Sequence, residues 1–123
     1  MPLINLDTHI LVHALAGDLD ESEHAVLAAH DWGMSAIVLW ELAKLVQLGR
    51  LSLDLDDAET LDALDAVHVW PIDLAVARTS TRLDFRGDPA DELIAATSVV
   101  HRVPLVTRDR TIRSSKIVPL APE

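Results

Sequence analysis

Leu3-Ile4-Asn5-Leu6-Asp7-Thr8-His9-Ile10-Leu11 is the stretch that decides the fold. Its first four residues read as a short buried strand, the strand stops on an acid, and Thr8 opens a segment whose apolar residues Ile10, Leu11 and Leu15 recur at helical spacing. The unit is strand, acid, helix. Met34-Ser35, Val67-His68-Val69-Trp70, Pro104-Leu105-Val106-Thr107 and Ile117-Val118 read as further short strands, the third of these followed closely by another acid, Asp109. All are apolar throughout rather than alternating, and helices lie between most of them. That pattern belongs to a parallel sheet covered on both faces.

The helices announce themselves at their starts. Asp20-Glu21-Ser22-Glu23 is a capping box ahead of a second helix, and Ser35 caps a third, Ala36 to Leu48, closed by Gly49. Asp56-Asp57-Ala58-Glu59 opens a fourth that runs toward Ala66. Asp73 caps a fifth, predicted to carry Arg78, Arg82 and Arg86 on one face at intervals of four. Asp88 can cap a sixth, with Pro89 at its first position, extending to about Arg102, and Asp109 then enters a short turn.

A chain of 123 residues, half of them hydrophobic, is expected to form one compact domain over residues 1–123. No apolar run approaches the ~20 residues of a membrane span, and the start lacks the basic and apolar regions of a signal peptide, so the expected location is the cytoplasm. With no cysteine, disulfides, thiol catalysis and thiolate metal sites are excluded. Carboxylates and imidazoles remain as ligands, and hard oxygen donors favour magnesium or manganese. The net charge of −10 argues against a nucleic-acid partner, but its distribution argues the other way. Residues 1–77 hold Lys44 and Arg50 against fourteen acids, whereas residues 78–123 hold eight bases against six acids.

In an open parallel sheet the ligand crevice lies beyond the carboxyl ends of the strands. Asp7 and Asp109 both fall there, and Asp91 joins them if its helix is the crossover into the strand at Pro104. Asp91 also shares a helical face with Ile94, Ala95 and Ser98, and Glu41 shares one with Ile37, Val38, Leu45 and Leu48. Each acid has a bland account, as a cap, a turn residue or the edge of a stripe. Taken together, acids at strand ends and on inward faces point to a site, and several carboxylates in one place need either raised pKa values or a divalent cation. His9 and His13, four apart, could hold zinc on a helix, but no catalytic companion lies between them. Trp32, Trp40 and Trp70 occur singly within apolar segments and read as core or interface residues.

The order of these motifs resembles that of the PIN-domain ribonucleases, and within them the VapC-type toxins of prokaryotic toxin–antitoxin pairs. The resemblance runs through Leu6-Asp7-Thr8, Ser35 to Leu42, Gly87 to Thr97 and Leu105-Val106-Thr107-Arg108-Asp109, covering nearly the whole chain. It implies a three-layer α/β/α domain with a short central parallel sheet. It further implies a site of Asp7, Glu41, Asp91 and Asp109, with Asp88 as an accessory acid and Thr8 and Thr107 as nearby hydroxyls. A cognate antitoxin and a homodimer follow from the same resemblance, with the apolar helices Ile37 to Leu48 and Leu61 to Val67 as candidate docking faces.

The expected activity is hydrolysis of RNA with Mg²⁺ or Mn²⁺, held by Asp7, Asp91 and Asp109, with Glu41 orienting water or acting as base. Arg78, Arg82, Arg86, Arg108 and Arg110 are candidate contacts to the RNA backbone. The alternative is a non-catalytic module of the same fold whose acidic pocket docks a basic partner segment. A phospho-accepting receiver domain is the third reading, weakened by Asp109 standing where a receiver would carry lysine.

Overall fold

The computed structural model describes residues 1–122. Its centre is a four-stranded parallel sheet in the order β3-β2-β1-β4, with β1 at Leu3–Leu6, β2 at Asp31–Ser35, β3 at His68–Trp70 and β4 at Leu105–Val106. β1 has a neighbour on each side, which is why Ile4, Asn5 and Leu6 are wholly buried. Among the described residues the helices are seven, in chain order α1 (Thr8–Ala16), α2 (Glu21–Ala28), α3 (Ala36–Gln47), α4 (Ala58–Asp65), α5 (Leu74–Ser80), α6 (Pro89–His101) and α7 (Arg110–Arg113). Alternate residues of β1 face opposite layers. Ile4 borders a shallow apolar cleft with Val26, Ala29 and Leu120, whereas Asn5 reaches α6. The architecture is therefore the expected α/β/α sandwich around a short parallel sheet.

Local signals place most helix starts correctly. The side chains of Asp7, Asp20, Ser35, Asp57, Asp73 and Asp109 each accept a hydrogen bond from a backbone N–H at the start of their helix. The Asp20–Glu23 capping box is reciprocal. Asp88 is the exception: it holds the cap position of α6 but makes no capping hydrogen bond.

Four expectations about elements are corrected. α5 stops at Ser80, so Arg82 and Arg86 do not share a helical face with Arg78. The hydroxyls of Ser80 and Thr81 bond back to the carbonyls of Ala77 and Arg78, and beyond them Leu83 and Phe85 turn inward against the core. Ile117-Val118 is not a strand. Asp84 accepts from the Ser115 hydroxyl and the Lys116 amide, and the same hydroxyl accepts from the amides of Ile117 and Val118, leaving no free donors for a ladder there. The parallel bridge forms instead between Leu105 and Leu120. β4 is also shorter than expected, and Asp109 caps the one-turn helix α7 rather than sitting in an open turn.

Gly33 fixes how the edge of the sheet packs. The Trp70 indole lies across it, so that a Cβ at position 33 would stand 2.5 Å from two ring carbons. Trp70 in turn stacks on His101 at the end of α6, with ring centroids 5.5 Å apart. Gly33→Ala should therefore lower unfolding free energy by about 1–3 kcal/mol, the usual cost of overpacking, measured by urea denaturation. An unchanged midpoint would show that the indole can move aside freely.

Candidate functional site

Asp7 ends β1 and is buried, with 5% of its surface exposed. One of its carboxylate oxygens accepts from the Thr8 amide at 2.7 Å, the other from the Thr107 hydroxyl at 2.6 Å. Burial raises its pKa, and Asp109 adds to the rise, while Thr107, Thr8 and exposed His9 act in the opposite direction. Thr107 follows β4 directly. Its oxygen also accepts from the Asp109 amide at 3.0 Å, linking the acid after β4 to the acid after β1. Asp109 spends one carboxylate oxygen on the amides of Thr111 and Ile112 at the start of α7.

Glu41 comes in from α3 and accepts from the Thr8 hydroxyl at 2.5 Å. Asp91 lies in the first turn of α6, partly buried. Its carboxyl is pushed up to about 6, first by burial and then by the charges of Asp7, Asp109, Glu41 and Asp88. Each of the other four acids thus acts on Asp91. Acids distant along the chain converge on one rim, as the topology predicts. They do not touch: among the described residues, no three carboxylate or imidazole groups stand close enough to form a ready ligand cluster. Coulomb forces reach farther than a coordination shell, so both observations hold together.

The arginines divide. Arg78, Arg82, Arg86 and Arg110 are exposed, on α5, on the segment after it and at the start of α7. Arg108 is engaged, with its guanidinium donating two hydrogen bonds to Glu23, at 2.7 and 2.6 Å. The zinc reading of His9 and His13 finds no support, since the His13 ring is turned to Asp18 at 2.7 Å. Trp70 is core, Trp32 donates to the Leu27 carbonyl, and Trp40 is exposed beside Lys44.

Two residues that matter here carry no functional signal in the sequence. Asn5, inside the buried strand, donates to the Ile94 carbonyl and the Ser98 hydroxyl, both at 3.0 Å, tying β1 to α6. Glu23, which reads as a capping residue, is also the partner of Arg108. A lone amide within an apolar strand is the only sign of the first; the second is an ion pair across 85 positions.

A parallel α/β sandwich with carboxylates gathered at the carboxyl rim of its sheet defines a class of acidic-pocket domains. Comparison with known proteins narrows it: residues 4–116 match the PIN domain family, and the chain belongs to it. Ribonuclease VapC22 of Mycobacterium tuberculosis (strain ATCC 25618 / H37Rv) is 37% identical over 99 residues, spanning 77% of this chain and 75% of that protein. Among solved structures, a toxin–antitoxin complex from Klebsiella pneumoniae contains a chain with the same fold, at a TM-score of 0.74 and 21% identity, covering 98% of both chains. A chain of FitAcB from Neisseria gonorrhoeae aligns at a TM-score of 0.65 and 26% identity over 89% of each. Family membership sets the receiver reading aside.

The raised Asp91 carboxyl has a stability consequence. A folded-state pKa above the unfolded value means the native state holds this proton more tightly, which favours folding at low pH, and that advantage is lost as pH rises through about 6. Without divalent cation, Asp91→Asn should therefore melt a few degrees above wild type at pH 7.5, with the gap narrowing below pH 6 and nearly closed at pH 4, where an unfolded carboxyl is itself protonated. Calorimetric scans at pH 7.5 and pH 4 would check it, and a variant that melts lower at both would show that the acids do not repel.

Proposed function

We propose that this chain is a metal-dependent endoribonuclease acting as the toxin of a toxin–antitoxin pair, and that Asp7, Asp91 and Asp109 hold Mg²⁺ or Mn²⁺. The observation that carries this reading is the raised pKa of the Asp91 carboxyl, pushed up by burial and then by the charges of Asp7, Asp109, Glu41 and Asp88. A dication at that point replaces repulsion with attraction. The donor chemistry fits as well, being all carboxylate and hydroxyl oxygen, the set that hard cations prefer. The relative named a ribonuclease and the solved toxin–antitoxin complexes support the substrate and the biological setting.

When bound, such a cation makes water more acidic and offsets charge on the scissile phosphate. The remaining tasks fall to the chain. Thr107 and the Thr8 amide fix the Asp7 carboxylate, and the Thr8 hydroxyl fixes Glu41, so both acids face the pocket without rotamer freedom to lose. In this reading Glu41, held by the Thr8 hydroxyl, orients the attacking water or takes its proton. Asp88, exposed at the start of α6, adds negative charge without a capping bond of its own. Arg86 and Arg110, next to the acids in sequence and exposed, are the best placed of the arginines for RNA phosphates, with Arg78 and Arg82 farther along the chain. Arg108 is removed from that group by its pairing with Glu23.

Among the described residues no helix is long and apolar enough to cross a membrane. The reading places the toxin in the cytoplasm, where its RNA would be. Leu39, Trp40 and Leu48, from α3 and its end, and Leu61 of α4 are exposed apolar side chains available to an antitoxin or to a second copy of the chain.

Purified protein should cut RNA when Mg²⁺ or Mn²⁺ is added and stop when the metal is chelated. Asp7→Asn and Asp91→Asn should each lower the cleavage rate by at least about 100-fold while the protein stays folded. Because protons compete with the cation for Asp91, cleavage should also fall as pH drops below about 6. Folded wild-type protein that cuts no RNA but binds a basic peptide would favour the non-catalytic docking module instead.

A further inference from the structure

Beside β4 lies a cleft of about 610 Å³ whose wall includes Glu23, Thr107, Arg108, Arg110 and Arg113. It holds the bidentate pair of Glu23 and Arg108, and this pair joins α2 to the segment that carries two groups of the acidic rim. We propose that Glu23 is a positioning residue: through Arg108 it fixes the Thr107-Arg108-Asp109 segment, and thereby the placement of Thr107 against Asp7 and of Asp109 in the acidic pocket. The inference rests on the reading of that pocket as a cation site.

The argument starts from the brevity of β4. Its ladder consists of Leu105 and Val106, and the last rung on the β1 side is the Asp7 amide donating to the Val106 carbonyl at 3.1 Å. Beyond that rung the sheet no longer dictates the path of the chain. Thr107 bonds to Asp7, Asp109 caps α7, and Arg113 of α7 donates to the Thr107 carbonyl. Those contacts lie within the acidic rim or within the segment and the helix that follows it. Arg108 supplies a tie to a separate element, α2.

The tie is stiff for three reasons. It is a two-pronged, charge-assisted hydrogen bond, the geometry that constrains orientation as well as distance. Its acceptor is poorly exposed, with 11% of the Glu23 side chain accessible against 45% of Arg108, so water reaches the carboxylate less than the guanidinium. Glu23 is already immobilised, because the same carboxylate accepts from the Asp20 amide at 3.0 Å in the capping box, so forming the pair costs little further side-chain entropy. The Glu23 carboxylate is held below the usual range by the Arg108 guanidinium, hence the pair stays ionised wherever the pocket itself is charged. Outer contacts of this kind commonly govern cation affinity by about 10–100-fold.

Glu23→Gln and Arg108→Gln, singly and together, test the proposal in the full-length protein. The glutamine that replaces Glu23 keeps an amide oxygen for the Asp20 amide, so the cap of α2 survives while the charged pair is lost. Two readouts are taken: hydrogen exchange at the Asp109 amide without metal, and Mn²⁺ affinity by titration calorimetry. Each single variant should exchange faster at Asp109 and bind Mn²⁺ about tenfold more weakly, and the double variant should be no worse than either, because both residues act through one contact. Unchanged exchange and affinity in Glu23→Gln would overturn the inference, as would losses that add in the double variant. If wild type takes up no Mn²⁺ while Glu23→Gln still exchanges faster at Asp109, the cation reading fails and the positioning tie stands.

Discussion

The register between the central strand and α6 is the constraint on which the site depends, and the buried Asn5 amide sets it. Asn5 donates to the Ile94 carbonyl and the Ser98 hydroxyl, locking β1 against a helix that runs antiparallel to it. Two residues along a strand advance the chain about 6.6 Å, and roughly four residues back along a helix cover about 6 Å. Moving from Asn5 to Asp7 therefore corresponds to moving from the middle of α6 to Asp91. A slip of one helical turn toward the C-terminus of α6 would take Asp91 away from the rim and leave the apolar Ile94 or Ala95 in its place.

What the register creates is electrostatically unfavourable, and the surrounding structure answers it in neutral terms. Hydroxyls and backbone amides meet the oxygens of Asp7, Glu41 and Asp109, so each acid is oriented by neutral donors. Such donors partly offset burial while leaving the net negative charge of the pocket intact. The acidic rim therefore costs the folded state stability, and in the proposed reading a bound cation would offset that cost, a trade common where binding rather than folding shapes the local chemistry. Two cations of the C-terminal part are committed elsewhere: Arg108 is bound to Glu23, and Arg113 holds backbone carbonyls at the end of β4 and near the C-terminus.

How much of this is legible in the sequence depends on the range of the signal. Most caps, the acid at the end of β1 and the closure of α3 by Gly49 are written within a few residues, and the structure follows them except at Asp88, which makes no capping bond. That Asp7, Asp91 and Asp109 belong to one rim can be inferred from topology, because parallel strands place their carboxyl ends together, whereas Glu41 is signalled by the apolar helical face it shares. The length of α5 cannot: arginines at intervals of four imitate a helical face, while the hydroxyls of Ser80 and Thr81 end it. Likewise Ile117-Val118 has the composition of a strand, but Asp84, more than thirty positions earlier, organises the turn that takes its donors. The roles of Asn5 and Glu23 are hidden from any local reading because their partners are 89 and 85 positions away.

The claim beneath all of this is that the carboxyl rim is a cation site. Crystals soaked in MnCl₂ and measured at the manganese absorption edge test it without reference to activity, RNA or a partner. The account predicts one dominant anomalous peak in the pocket bounded by Asp7, Asp91 and Asp109, absent from crystals of Asp91→Asn. A dominant peak elsewhere, or an equal one in the variant, would contradict it.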